Sequence, residues 1–291
     1  MPVHVSDDRR IFSFERGMTP AVEVDPGETV VFDTRDCYDG RVDLDAGQLS
    51  DQGIVPSWCN PATGPVFVRG AMPGDMLVVR IESVQCAPRG LIFGASRDGA
   101  CREGRVIRLA DGFADLLGNL RVPLDPVIGV IGVAPAGEPV PTVTPGDHGG
   151  NLDTTDVKTG NTVYLPVSEP GAMFALGDVH ALQGDGEVCG QGIEAAARVT
   201  VNLQVMKGSM SQGPLIKTPT HWAVVASGVD LDAAVDLALL RARDFLLSRV
   251  EVKDHQAPIL LSTLCDVRIG QIVNPLKTVR VCIPTRVAGT W

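Results

Sequence analysis

Three times along the chain, an alternating apolar run meets a turn built on Pro-Gly, and a second apolar run follows. The units are AVEVDPGETVVFD (21–33), VFVRGAMPGDMLVVRIESV (66–84) and TVYLPVSEPGAMFALGDVH (162–180). Proline holds φ at about −65° at the second turn position, glycine takes the positive φ that follows, and alternating side chains cover one face of a sheet. Each unit therefore reads as two strands joined by a tight turn. A further strand is expected at ARVTVNLQV (197–205), and DVRIGQIVNPLKTVRVCIP (266–284) repeats strand, turn, strand.

Such a series predicts a mainly β fold with some α/β character. We expect a β-sandwich or barrel built from Pro-Gly hairpins, closed enough to protect its edge strands. Helix is expected at DLDAAVDLALLRARDFLLSRV (230–250). Asp230 is a candidate N-cap there, and Leu231, Val235, Ala238, Leu239, Ala242 and Phe245 share one face. That helix reads as a scaffold element of a smaller C-terminal α/β part. The stretch APAGEPVPTVTPGDHGG (134–150) divides the chain into an N-terminal β region, 1–140, and a C-terminal β region, 141–291. Pro-Gly units on both sides leave open that the two regions interleave.

Charge narrows the partners. Lys and Arg number 25 against 35 Asp and Glu, a formal net charge of −10, which argues against binding a phosphate backbone. The seven cysteines (37, 59, 86, 101, 189, 265 and 282) never form a C-x-x-C pair, so neither a disulfide scaffold nor a structural zinc knot is expected. MPVHVSDDRR lacks the apolar core of a signal peptide, and no stretch has the length and apolarity to cross a bilayer. The expectation is a reduced, cytoplasmic protein without nucleic-acid or membrane partners.

Chemistry concentrates in GDVHALQGDGEVCGQGIE (177–194), where acids, a histidine and a cysteine sit among glycines with no lysine or arginine. Strand alternation places Phe174, Leu176, Asp178 and His180 on one face, so apolar residues give way to an acid and an imidazole at the strand's end. The turn Gln183-Gly-Asp185-Gly-Glu187 follows, and its glycines leave backbone N–H groups approachable. So many ligand side chains resist burial unless a cation balances them. Imidazole with carboxylates suits Zn²⁺, Mn²⁺ or Fe²⁺, whereas an all-oxygen set suits Ca²⁺ or Mg²⁺. The expectation is a divalent metal, Zn²⁺ first, with Ca²⁺ or Mg²⁺ as a second or alternative ion.

The metal candidates are Asp178 and His180, with Asp36 from FDTRDCYDG (32–40) and His148 from HGGNLD (148–153) as distant ligands. Glu187 is the candidate general base for an activated water, and Asn151, Gly184 and Asp185 are candidate substrate contacts. Cys189 is the candidate nucleophile of a rival amidase route through an acyl-enzyme. A third reading is a non-enzymatic β-barrel that binds metal or a small ligand. Blander roles stay open: Asp185 as a turn residue, Cys189 as a buried thiol, His148 as a loop residue, His180 as a backbone-bonded residue, Glu187 as a strand cap or a partner of backbone amides, and Asp36 as solvated surface.

Taken as long ordered strings, PSWCNPATGPVFVRGAMPGD (56–75), PGDHGGNLDTTDVKTGNTVYLPVSEPGAMFALGDVHALQGDGEVCG (145–190) and QIVNPLKTVRVCIP (271–284) resemble the acetamidase/formamidase family over nearly the whole chain. The resemblance implies hydrolysis of short aliphatic amides to carboxylate and ammonia, a mostly β fold, a homo-oligomer (dimer or higher) and a divalent metal. It also implies a polar site at Asp36, His148, Asp178, His180 and Glu187. One departure stands out: after GEVCG the family runs Thr-Ala-Ile-Glu, whereas this chain has QGIE (191–194). That change is expected to bear on the acyl group if the segment lines the pocket, and to leave the metal ligands untouched.

Overall fold

The computed structural model describes residues 1–46, 56–95, 102–118, 120–209 and 211–289. Among these, nine strands form one sheet, ordered Val3–Val5, Thr29–Thr34, Ala197–Met206, Met76–Cys86, Thr162–Pro166, Leu215–Lys217, His221–Gly228, Lys277–Pro284 and Asp266–Gln271. In the second sheet, Phe174–His180 is central. It pairs with Val127–Gly132 on one edge, and with Ala62–Val68 and Glu194–Ala195 on the other. Alternation explains why the two sheets must meet. Phe32, Leu77, Val79, Val199 and Val201 from the first pack with Val66, Ile128, Ile131, Phe174 and Leu176 from the second in one buried cluster. Phe32 and Phe174 stand edge to face across the layers, 5.8 Å between centroids. Each fully buried side chain of this size contributes about 1.5–3 kcal/mol. The fold is a mainly β sandwich.

The Pro-Gly turns, however, are not hairpins. In all three units the strand before the turn and the strand after it belong to different sheets. Val22–Val24 runs parallel to Ala62–Val68 in the second sheet, whereas Thr29–Thr34 pairs with Ala197–Met206 in the first. Ala62–Val68 likewise lies in the second sheet and Met76–Cys86 in the first, while Thr162–Pro166 lies in the first and Phe174–His180 in the second. Each turn is an arch between layers, and both of its flanking strands feed the same core from opposite sides. Two arches also bind each other: Val68 N donates to Gly171 O at 2.9 Å, and Gly74 N to Val167 O at 3.0 Å. By contrast, Asp266–Gln271 and Lys277–Pro284 pair directly, as their sequence pattern predicts.

Because of the arches, strands from either side of residue 140 alternate within the sheets. Met76–Cys86, for instance, lies between Ala197–Met206 and Thr162–Pro166. The long helix, Leu231–Leu247, begins at Asp230, whose Oδ1 accepts from Ala233 N at 2.8 Å. It buries Ala234, Ala238, Ala242, Phe245 and Leu246 against Trp222, Val224, Val281 and Ile283 of the first sheet. No helix among the described residues is long and apolar enough to cross a membrane. No disulfide joins the six described cysteines, and Cys101 lies outside the described residues.

Candidate active site

The strand Phe174–His180 delivers the site through a break in its own pattern. Asp178 sits in the left-handed region at φ 54°, which resets the alternation. Phe174, Leu176 and Val179 all belong to the sandwich core, whereas Asp178 and His180 line a pocket of about 400 Å³. The expectation that residues 174, 176, 178 and 180 share one face is therefore corrected. The backbone turns the acid and the imidazole away from the core.

Other segments converge on the same pocket. Asn60 precedes Ala62–Val68, Asn151 ends the short strand Gly149–Asn151 and Asp153 follows it, Glu187 comes from the glycine-rich turn, Glu194 opens the next strand, and Asn274 lies in the C-terminal hairpin. Asn60, Asp153, Asp178 and Glu187 all carry positive φ, at 54°, 41°, 54° and 46°. Left-handed backbone costs an L-residue about 1–2 kcal/mol, less for Asn and Asp, so four such residues in one pocket mark a place where geometry overrides local preference.

His180 Nδ1 is 2.9 Å from Gln183 Oε1, which leaves Nε2 facing Glu194 Oε1 at 3.3 Å and Asp178 Oδ1 at 3.5 Å. Glu187 Oε1 lies 3.9 Å from Nδ1. Asn60 Nδ2 donates to Asp178 Oδ2 and Asn274 Nδ2 to Asp153 Oδ2, each at 2.5 Å. Behind these carboxylates, Gly129 leaves the room they occupy: a Cβ there would stand 2.5 Å from Asp153 Oδ1 and 2.8 Å from Asp178 Oδ2. Asp153 Oδ1, Asp178 Oδ1, Glu194 Oε2 and Asn151 Oδ1 are buried without a hydrogen-bond partner.

Four carboxyl groups thus surround one imidazole, and among the described residues no lysine or arginine lines the pocket. Burial, reinforced by Asp153, pushes Glu187 up to about 10. Burial likewise lifts Glu194 to about 7, against the opposing pull of His180, and Asp153 to about 6, with Asp178 adding to the rise. Burial alone would depress His180, but the Glu194 and Asp178 carboxylates outweigh it and raise its pKa well above the usual histidine range. Asp153, His180 and Glu187 each offer one ligand atom within 4.8 Å of the others, as do Cys37, Asp178 and Glu194.

The structure sorts the candidates read from sequence. Asp178, His180, Glu187, Cys189 and Asn151 line the pocket. Cys189 Sγ donates to Gln191 O at 3.6 Å. Asp36 does not reach the pocket, because its Oδ1 accepts from Tyr38 N and Gly40 N and closes its own turn. His148 also stays away. It packs on the edge of Phe14, its Nε2 has no hydrogen-bond partner, and burial lowers it to about 4. Gly184 and Asp185 lie at the exposed tip of the turn, outside the pocket, and Asp185 pairs with Arg280.

Asp153 and Glu194 were not foreseen as ligands, although both stand in strings already singled out, HGGNLD and QGIE. The QGIE string keeps the family's glutamate at Glu194; the residues that depart are Gln191 and Gly192. Gln191 also lines the pocket, accepting from Phe93 N at 2.8 Å and donating to Tyr38 Oη.

A profile of the Acetamidase/Formamidase family matches residues 13–138 and 133–289. The acetamidase of Bacillus halodurans superposes with a TM-score of 0.94 at 38% identity, covering 99% of this chain and 100% of its own. A predicted acetamidase/formamidase from Thermoanaerobacter tengcongensis superposes equally well, with a TM-score of 0.94 at 35% identity over 99% and 97% of the two chains. A putative formamidase of Schizosaccharomyces pombe is 27% identical over 66% of this chain and 62% of its own length. The chain spans less than two thirds of the length of the curated relatives it matches.

Proposed function

Because the chain belongs to the acetamidase/formamidase family, we propose that its pocket hydrolyses short aliphatic amides of the formamide or acetamide type to carboxylate and ammonia. The observation that carries this reading is the buried ring of acids around His180, with no lysine or arginine among the described residues lining the pocket to balance it. The residues fit a divalent cation. With Nδ1 engaged by Gln183, Nε2 is the free imidazole donor, and its separations of 3.3 and 3.5 Å from Glu194 and Asp178 are long for hydrogen bonds. They match the spacing of about 3.4 Å between two donors bound at about 2.0–2.1 Å around a tetrahedral zinc. His180, Asp178 and Glu194 would hold the ion, with the Cys37 thiol beside them. Such an ion supplies a Lewis acid for the amide oxygen and lowers the pKa of water.

The chain's own groups divide the remaining work. Glu187, with a carboxyl oxygen within 4.8 Å of one of Asp153, accepts the proton of the attacking water and delivers it to the leaving nitrogen, so that ammonia rather than amide anion departs. The unpaired Oδ1 of Asn151 accepts from the substrate NH₂. Asn60 and Asn274 hold Asp178 and Asp153 in their strained positions. At about 400 Å³ the pocket suits a small amide. The thiol route is less well supported, since the Cys189 thiol is engaged with the Gln191 backbone carbonyl.

Ammonia release from formamide and acetamide, measured before and after exhaustive chelation, tests the reading. Turnover lost on chelation and restored by a divalent ion is the expected result. Full turnover without metal would remove the ion from the reaction, and loss of activity in Cys189→Ala with a trapped thioester would transfer it to the thiol. No ammonia from any short amide would leave a binding protein.

A further inference from the structure

One acid of the central turn does have a cation. Arg280, 1% exposed, donates Nη2 to both oxygens of Asp185 at 2.9 Å and to Thr155 Oγ1 at 3.0 Å. Its Nε donates to Asp156 Oδ2 at 2.8 Å and its Nη1 to Ile269 O at 3.2 Å. Thr155 Oγ1 closes the ring by donating to Asp185 Oδ1 at 2.8 Å. The guanidinium therefore ties three pieces of chain together: 155–156, the turn at 185, and the C-terminal hairpin. A lysine could supply the charge but not this set of directed donors.

Each of the first two pieces carries one member of the proton-handling pair. Asp153 lies two residues before Thr155, and Glu187 two residues after Asp185. Both residues are left-handed, so neither conformation holds itself, and something outside the two segments must fix their approach. Backbone bonds from Gly186 N to Gly270 O at 2.8 Å and from Ile272 N to Gly186 O at 3.1 Å dock the turn on the hairpin that bears Arg280. What remains for the side chain is the setting of the turn against residues 153–156.

We propose that Arg280 is a positioning residue for the amide hydrolysis: gripping Asp185, Thr155 and Asp156, it sets Glu187 against Asp153 and into the pocket. The proposal rests on the amidase reading. Asp185, expected from the sequence to contact substrate and found outside the pocket, then serves as the handle by which the turn is held. A displacement of about 1 Å costs catalysis about 10²-fold, so loosening this grip should reach turnover before it reaches the fold.

Asp185→Asn tests this at a half-exposed position that does not threaten folding, and Arg280→Lys tests the fork itself. Each variant is expected to lose kcat about tenfold or more with KM within about threefold. The double variant should be no worse than either single one, because both break the same link. Deuterium exchange over 183–190 should speed up in Asp185→Asn while the sheets keep native protection. Wild-type kcat in Asp185→Asn, or a loss that tracks the folded fraction in both variants, would overturn the proposal. Should the unaltered protein release no ammonia, the amidase reading fails by itself. Native protection of 183–190 in Asp185→Asn would then refute the grip independently, and lost protection would uphold it.

Discussion

Gly129 shows how much one missing side chain carries. A methyl there collides with both Asp153 and Asp178, so Gly129→Ala must push the carboxylates apart while leaving the sandwich intact. Calorimetric titration should show divalent-ion affinity falling about 10–100-fold with an unchanged circular dichroism spectrum, as for other changes just behind metal ligands. Unchanged affinity would separate these acids from the ion. Protons give a second readout. With Glu187 near 10 and Glu194 near 7, the ion-free pocket holds protons at neutral pH that a cation must displace. Zinc titrations in buffers of different ionisation enthalpy should show net proton release at pH 7, smaller in Glu187→Gln, with affinity rising as pH rises. Far from the pocket, the hydrogen bond that the His221 imidazolium donates to Asp156 raises its pKa to about 9. Its folded pKa exceeds the unfolded value of about 6.5, so its stabilisation is complete below that and fades as pH climbs through 9. His221→Gln should flatten thermal stability across that window.

At the level of elements, the arches give the sharpest contrast. Gly171 has φ 76°, and a Cβ on it would lie 2.1 Å from the Phe67 ring, whereas Gly74, φ 96°, would meet nothing within 4 Å. Gly171→Ala is expected to cost about 2–4 kcal/mol, combining left-handed strain with overpacking, and Gly74→Ala about 1–2 kcal/mol. Urea midpoints decide between them, and equal shifts would mean that the arch tolerates repacking. Strands and helix were legible in sequence because each announces itself locally: alternation for Thr162–Pro166 and Phe174–His180, an N-cap and a 3.6-residue stripe for Leu231–Leu247. The destination of a Pro-Gly turn was not. Its residues settle how sharply the chain bends, but whether the next strand returns to its neighbour or crosses to the facing layer depends on which partners arrive from far along the chain. The left-handed kink at Asp178 was hidden for the same reason, since tertiary contacts impose it.

At the scale of the molecule, the site draws on segments spread from Asn60 to Asn274, and each sheet mixes strands from both sides of residue 140. Asp178, His180 and Glu187 were readable because they crowd one short stretch. Asp153 and Glu194 join them only through pairing of strands, and Asp36 and His148 stay apart because their local turns satisfy or enclose them. The interleaving predicts one cooperative unfolding transition by calorimetry. Separately expressed 1–140 and 141–291 should each show the narrow amide dispersion of an unfolded chain, and a well-dispersed spectrum from either would contradict it.

The C-terminal hairpin carries this logic into synthesis. Asn274, in the hairpin turn, and Arg280, in its second strand, are synthesised more than a hundred residues after Asp153 and Asp156, the acids they steady. A nascent chain therefore completes this chemistry only once Arg280 has been made, and a product terminated before it would be inert rather than half-active.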